Sequence, residues 1–219
     1  MDIHATMQNV PLTLTAILDG IEGTYGDTEV LTYTGLNTGA GRATFSEISM
    51  RAAQLANGLA GLGIEAGDRV ATFMWNNQRH LEAYLAVPCS GAILHTLNIR
   101  LTPEQLGYIA SDAGDKIVIV DASLLDTLLP ALPLMPELAA LVIAGDPTDT
   151  QLAEVSRLVP NVIAYEQLVN SQPTTFAWPV LDEHSAAAMC YTSGTTGDPK
   201  GVVYSHRSVY LHALASIHR

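Results

Sequence analysis

The stretch KIVIVD, residues 116–121, constrains the fold more than any other part of the chain. Four consecutive β-branched apolar residues leave no polar alternate positions, so a strand built from them must be covered on both faces. Such a strand belongs in a largely parallel sheet with a helical layer on either side. Its surroundings supply the helices. RATFSEISMRAAQLANGLAGLG (42–63) has the helical period, a capping-box pair in Thr44 and Glu47, and glycines closing its far end. Gly67 and Asp68 turn the chain into the β-rich run RVATFMW (69–75). Asn76 and Asn77 break that run, QRHLEAYLAVPCSGA (78–92) returns to the helical period, and AILHTLN (92–98) reads as a strand. Thr102, Pro103 and Gln105 open another helix cleanly. ALVIAG (140–145), a buried run AAAMCYT (186–192) and VVYS (202–205) follow as strands, and SHRSVYLHALASIHR (205–219) as a helix. The alternation predicts an α/β fold with largely parallel sheets flanked by helices. We expect a first α/β sheet subdomain over 1–145, an irregular connecting region over 146–184, and the start of a second subdomain over 185–219.

Charge narrows the function classes. The 219 residues carry 10 basic and 22 acidic side chains, a formal charge of −12, which disfavours nucleic acid and anionic membrane surfaces as partners. The acidity is uneven. Residues 185–219 hold Lys200, Arg207 and Arg219 against Asp198 alone, so that segment is locally basic. Distant acids are screened within a Debye length of about 8 Å. One lysine about 4 Å from a phosphate gains roughly 4 kcal/mol at an effective dielectric of 20, before desolvation is subtracted. The two cysteines, Cys89 and Cys190, each follow apolar neighbours and read as reduced core thiols, in keeping with a cytoplasmic setting. The start, MDIHATMQNV, has neither a basic nor an apolar leader region, so no signal peptide is expected. The greasiest stretch, 128–145, contains three prolines and Glu137 and cannot form a continuous membrane helix.

Several motifs fail on inspection. GLAGLGIEAG (58–67) lacks the dinucleotide-loop spacing, and a helix rather than a strand leads into it, so it reads as a helix end and turn. The histidines show no metal-ligand spacing, and His80, His95 and His184 read as satisfied or surface groups. No nucleophile elbow is present. What survives is YTSGTTGDPKG (191–201). An apolar strand delivers the chain into it, which places it at the carboxyl edge of a sheet, where α/β proteins bind ligands. Gly194 and Gly197 let the backbone approach a ligand, while the hydroxyls of Thr192, Ser193, Thr195 and Thr196 and the ammonium of Lys200 supply donors suited to a polyphosphate. The loop is not a Walker A, because Lys200 precedes Gly201 rather than Ser or Thr. A kinase-like transferase would need a second acidic metal motif, and none is seen.

YTSGTTGDPKGVVYSH resembles the signature of the adenylate-forming (AMP-binding) superfamily. GIEAGDRVATFMWNN, VPCSGAILHTLNIRLTPEQLGYIASDAGDKIVIVD and VVYSHRSVYLHALAS resemble its fatty-acyl-CoA synthetase branch, of the medium- and long-chain type. The resemblance runs from about residue 25 onward. It implies that Thr192, Ser193, Gly194, Thr195, Thr196, Gly197 and Lys200 hold the β- and γ-phosphates of ATP, with Gly201 closing the turn. Thr192 is the loop hydroxyl nearest the Mg²⁺ of that family. His206 matches a family histidine just past the loop and would brace loop and strand. The implied chemistry joins a fatty acid to coenzyme A by way of an acyl-adenylate; adenylation for another fate is the alternative. Family members are much longer. The resemblance therefore implies an incomplete N-terminal domain, with no catalytic residue of its own and little activity alone. Alternatives are a non-catalytic remnant that pairs with another chain, a homodimer, and peripheral membrane association.

Overall fold

A computed structural model describes residues 6–33, 40–192 and 198–217. The chain runs through α1 (Leu14–Tyr25), β1 (Glu29–Tyr33), β2 (Ala40–Thr44), α2 (Phe45–Gly61), β3 (Arg69–Phe73), α3 (Gln78–Cys89), β4 (Ile93–Thr96), α4 (Pro103–Ala113) and β5 (Asp115–Asp121). It continues through a short helical segment containing α5 (Leu125–Leu128), then β6 (Ala140–Ala144), α6 (Asp149–Val155), β7 (Asn161–Ala164), α7 (Tyr165–Asn170), β8 (Ala186–Thr192), β9 (Lys200–Ser205) and α8 (His206–Ile217). The main sheet has seven strands in the order β7-β6-β5-β3-β4-β8-β9. All neighbours are parallel except β8 and β9, which form an antiparallel pair.

The expected double cover of residues 116–121 is observed. Ile117 and Ile119 enter one apolar layer with Leu55, Leu59, Ala83 and Leu85 of α2 and α3. Val118 and Val120 enter the other with Leu106 and Ile109 of α4 and Leu125 and Leu128 of α5. Successive strand side chains point to opposite faces, so one apolar run serves two cores. Burying each such side chain contributes about 1.5–3 kcal/mol.

Local chemistry sets the helix limits. Thr44 Oγ1 accepts from the Glu47 amide at 3.2 Å while Glu47 Oε2 accepts from the Thr44 amide at 2.7 Å, a complete capping box. Residues before a cap are extended. Arg42, Ala43 and Thr44 accordingly lie in β2, not in the helix predicted from residue 42. Thr102 and Gln105 form the second expected box, with Pro103 in the first turn, and α4 ends on Gly114 at φ +66°.

Three further features differ from expectation. Residues 146–184 are more regular than predicted: Thr148 and Gln151 make a third capping box for α6, and β7 and α7 follow. The seven-stranded sheet also passes from residues before 146 to β8 and β9 without a break. The run 186–192 is only partly buried, with Ala187 and Met189 enclosed and Tyr191 half-buried. Its outer neighbour β9 is the edge strand and leaves Val202, Val203 and Tyr204 exposed, so cover is thin there.

Candidate active site

The carboxyl ends of the parallel strands share one edge of the sheet, and Thr192 ends β8 at that edge. Across the hairpin Thr192 pairs with Lys200 and Tyr191 with Gly201. Thr192, Asp198, Lys200 and Gly201 are exposed. The predicted residues Ser193, Gly194, Thr195, Thr196 and Gly197 lie outside the described residues. The structure thus brings Thr192, Lys200 and Gly201 to one mouth at the carboxyl edge. Among the described residues, no group of three or more His, Cys, Asp or Glu could hold a metal ion.

The base of this mouth is a set of contacts that sequence reasoning missed. The Tyr191 hydroxyl donates to Asp112 Oδ2 at 2.6 Å, from near the end of α4. Its ring lies 5.3 Å, centroid to centroid, from the His95 imidazole at 45°. The same ring covers Gly201, where an added Cβ would come within 3.2 Å of Tyr191 Cζ. A side chain at Gly201 would require the Tyr191 ring to give way by a few tenths of an ångström. Burial, the hydrogen bond to Asp112 and the nearby carboxylate charges push the Tyr191 phenol well above its ordinary range, so it stays a donor. His95, predicted to be satisfied or on the surface, is fully buried and satisfied on one side. Its Nδ1 lies 2.8 Å from Asp115 Oδ2 and 2.9 Å from Oδ1. Its Nε2 has no partner among the described residues. Nothing local in the sequence marks this pair, because its members lie twenty residues apart on strands separated by β3.

His206 opens α8 and is fully buried. Its Nδ1 accepts the Leu14 amide at 3.3 Å, tying α8 to α1. Burial lowers its pKa, consistent with a neutral ring. His80 is likewise buried and lowered by burial, with its ring nitrogens bonded to Thr72 Oγ1 and the Trp75 carbonyl. His184 is exposed. Cys89 is buried, free and raised to about 12 by burial; Cys190 is free and only partly buried.

A cavity of about 1040 Å³ lies elsewhere on the same edge, beyond β3, β5 and β6. Most of its charges are engaged within the protein. Arg51 binds Glu82 at 2.7 Å and Glu166 at 3.1 Å, Arg79 binds Glu166 at 2.8 Å, and Asp121 accepts from the Trp75 amide and the Asn77 side chain.

The fold is an α/β domain with an antiparallel hairpin at the edge of a parallel sheet, and solved adenylate-forming enzymes share it. An anthranilate CoA ligase bound to anthranoyl-AMP superposes with a TM-score of 0.78 at 23% identity, over 91% of this chain and 36% of that one. A structure described as a putative long-chain-fatty-acid CoA ligase from Rhodopseudomonas palustris gives 0.76 at 23% identity, over 94% and 47%. The AMP-binding enzyme family model matches residues 21–219, and the chain belongs to that family. Its curated relatives include a 3-methylmercaptopropionyl-CoA ligase of Ruegeria lacuscaerulensis, 38% identical over 96% of this chain. A medium-chain-fatty-acid–CoA ligase of Ectopseudomonas oleovorans is 41% identical over 80%, and a long-chain-fatty-acid–CoA ligase of Thermus thermophilus 40% over 97%. The chain spans 38%, 31% and 37% of these three relatives respectively. Among the described residues, no helix is long and apolar enough to cross a membrane.

Proposed function

We propose that this chain carries the triphosphate-gripping part of an ATP-dependent fatty-acyl-CoA ligase. The observation that supports this most is the placement of Lys200 opposite Thr192 at the carboxyl edge, in a family whose relatives include medium- and long-chain fatty-acid–CoA ligases. In the proposed reaction a fatty-acid carboxylate attacks the α-phosphorus of ATP, pyrophosphate departs, and the thiol of coenzyme A takes the acyl group and releases AMP. The loop residues Thr192, Ser193, Gly194, Thr195, Thr196, Gly197 and Lys200 would hold the β- and γ-phosphates, where donors fixed in advance stabilise the charge building on the leaving group. Mg²⁺ typically rides on substrate phosphates with few protein ligands. Thr192 offers it a single neutral oxygen, and the described residues add no acidic cluster, so its remaining ligands would be phosphate oxygens and water.

The test is an amide-resonance titration of the 219-residue chain with ATP and Mg²⁺, beside a pyrophosphate-release assay with a panel of fatty acids. Saturable shifts at Lys200 and Gly201 are expected in the parent chain, with the ATP dissociation constant raised about tenfold in Lys200→Ala, and without turnover. No response at either residue would end the phosphate reading, and robust turnover would refute the inactivity of the isolated chain.

A second reading has its own observation. The edge strand β9 and helix α8 expose Val202, Val203, Tyr204, Leu211 and Leu214. An apolar edge of this kind favours association, with a partner half or a second copy. Sedimentation at rising concentration should show self-association if a second copy binds there; a compact monomer throughout would remove the homodimer.

A further inference from the structure

The mouth of the hairpin is shaped from below. Tyr191 sits one residue before Thr192 and directly across from Gly201, whose neighbour is Lys200. Three groups hold its ring: His95 against one side, Asp112 on the hydroxyl, and the bare backbone of Gly201 beneath. Of these, His95 is itself held. Asp115 is 2% exposed and His95 0%, and the imidazole Nδ1 lies within 2.9 Å of both carboxylate oxygens. A carboxylate only accepts, so Nδ1 is the donor, which fixes the tautomer and the plane of the ring. Two titratable groups taken out of water cost more than apolar residues of the same size. What they supply in return is direction, since a hydrogen-bonded ring cannot turn about its own bonds as a leucine can.

We propose that His95 and Asp115 are a positioning pair for the phosphate loop, acting through the Tyr191 ring on Gly201 and Lys200 without touching the ligand. The inference rests on the triphosphate reading above. It assigns His95 a role in affinity for the polyphosphate tail. A ring free to swing away from Gly201 lets the two strands close or skew at the step where Thr192 faces Lys200.

The experiment uses ¹⁵N-labelled chain, ATP with Mg²⁺ as the probe, and the variants His95→Leu and His95→Asn. Asn keeps a donor near the position of Nδ1; Leu does not. In folded His95→Leu, the Lys200 and Gly201 amide resonances should move without ligand, and the ATP dissociation constant should rise about tenfold, equivalent to about 1.4 kcal/mol. His95→Asn should restore both to near the parent values. Unmoved resonances, an unchanged dissociation constant, or an Asn variant no better than Leu would each overturn the proposal. Should His95→Leu fail to fold, Asp115→Ala takes its place. It removes the acceptor that holds Nδ1, and a Gly201 resonance left where it was would overturn the inference equally. If the parent chain shows no ATP response while the resonances still move in His95→Leu, the phosphate reading falls, and the pair stands as what sets the strand step.

Discussion

Two regions of the same sheet edge contrast sharply. The crevice beyond β3 and β5 lies where topology favours a ligand, because the connection after β3 goes to one face of the sheet and the connection after β5 to the other. It encloses about 1040 Å³. Yet its arginines are spent on neighbouring carboxylates: Glu82, fully buried, takes bonds from Arg51, Gln78 and the Tyr165 hydroxyl, and Glu166 is shared by Arg51 and Arg79. Burial pushes Glu166 up, but Arg79 and Arg51 together leave it below the ordinary carboxylate range. The end of the β8–β9 hairpin leaves Thr192 and Lys200 exposed. The difference teaches that concavity and availability are separate properties. A site that binds an anion must leave a donor uncommitted, at some cost in internal satisfaction.

Arg51→Ala should break the crevice most severely. It leaves the Glu82 carboxylate buried beside only two neutral donors, a loss of about 3 kcal/mol in urea denaturation, and a loss under about 1 kcal/mol would show that the crevice is not held by its own charges. Next comes Lys200→Ala, expected to weaken ATP about tenfold in the amide titration while moving stability by less than about 0.5 kcal/mol. A large stability loss would mean that the mouth, too, is spent on the fold. Acidity provides the third measure. His80 and His206 have folded pKa values below the ordinary value of about 6.5. The unfolded chain therefore binds more protons below that pH. Stability is complete above about pH 6.5 and should fall as pH drops below it. Thermal midpoints at pH 7 and pH 5 check the slope, and His206→Asn, which keeps an acceptor for the Leu14 amide, should flatten it. Arg79→Ala should have the smallest effect. Its ion pair with Glu166 is half-exposed, worth about 0.5 kcal/mol, and ATP affinity should not change. Any weakening of ATP would join the two regions functionally.

Much of the fold was legible in the chain, for physical reasons that act over short distances. Capping boxes at Thr44 and Thr102 announce helix starts because cap and box partner lie three residues apart. The run 116–121 announces its double burial because four side chains alternate across one strand. The signature 191–201 carried the family in the same way. Other features were not legible. The β1–β2 ribbon precedes a cap whose helical pattern looks continuous with it, and the partial exposure of β8 depends on which strand lies beside it.

By itself, then, the sequence determined the class of fold, the helix caps at Thr44 and Thr102 and the family, since each depends on groups within a few positions of one another. Only the tertiary structure decided that Gly201 lies under an aromatic ring, that His95 meets Asp115 across an intervening strand, and that Arg51 and Arg79 beside the crevice are held by Glu82 and Glu166. Those facts rest on distances between residues far apart in the chain, which local spacing does not encode.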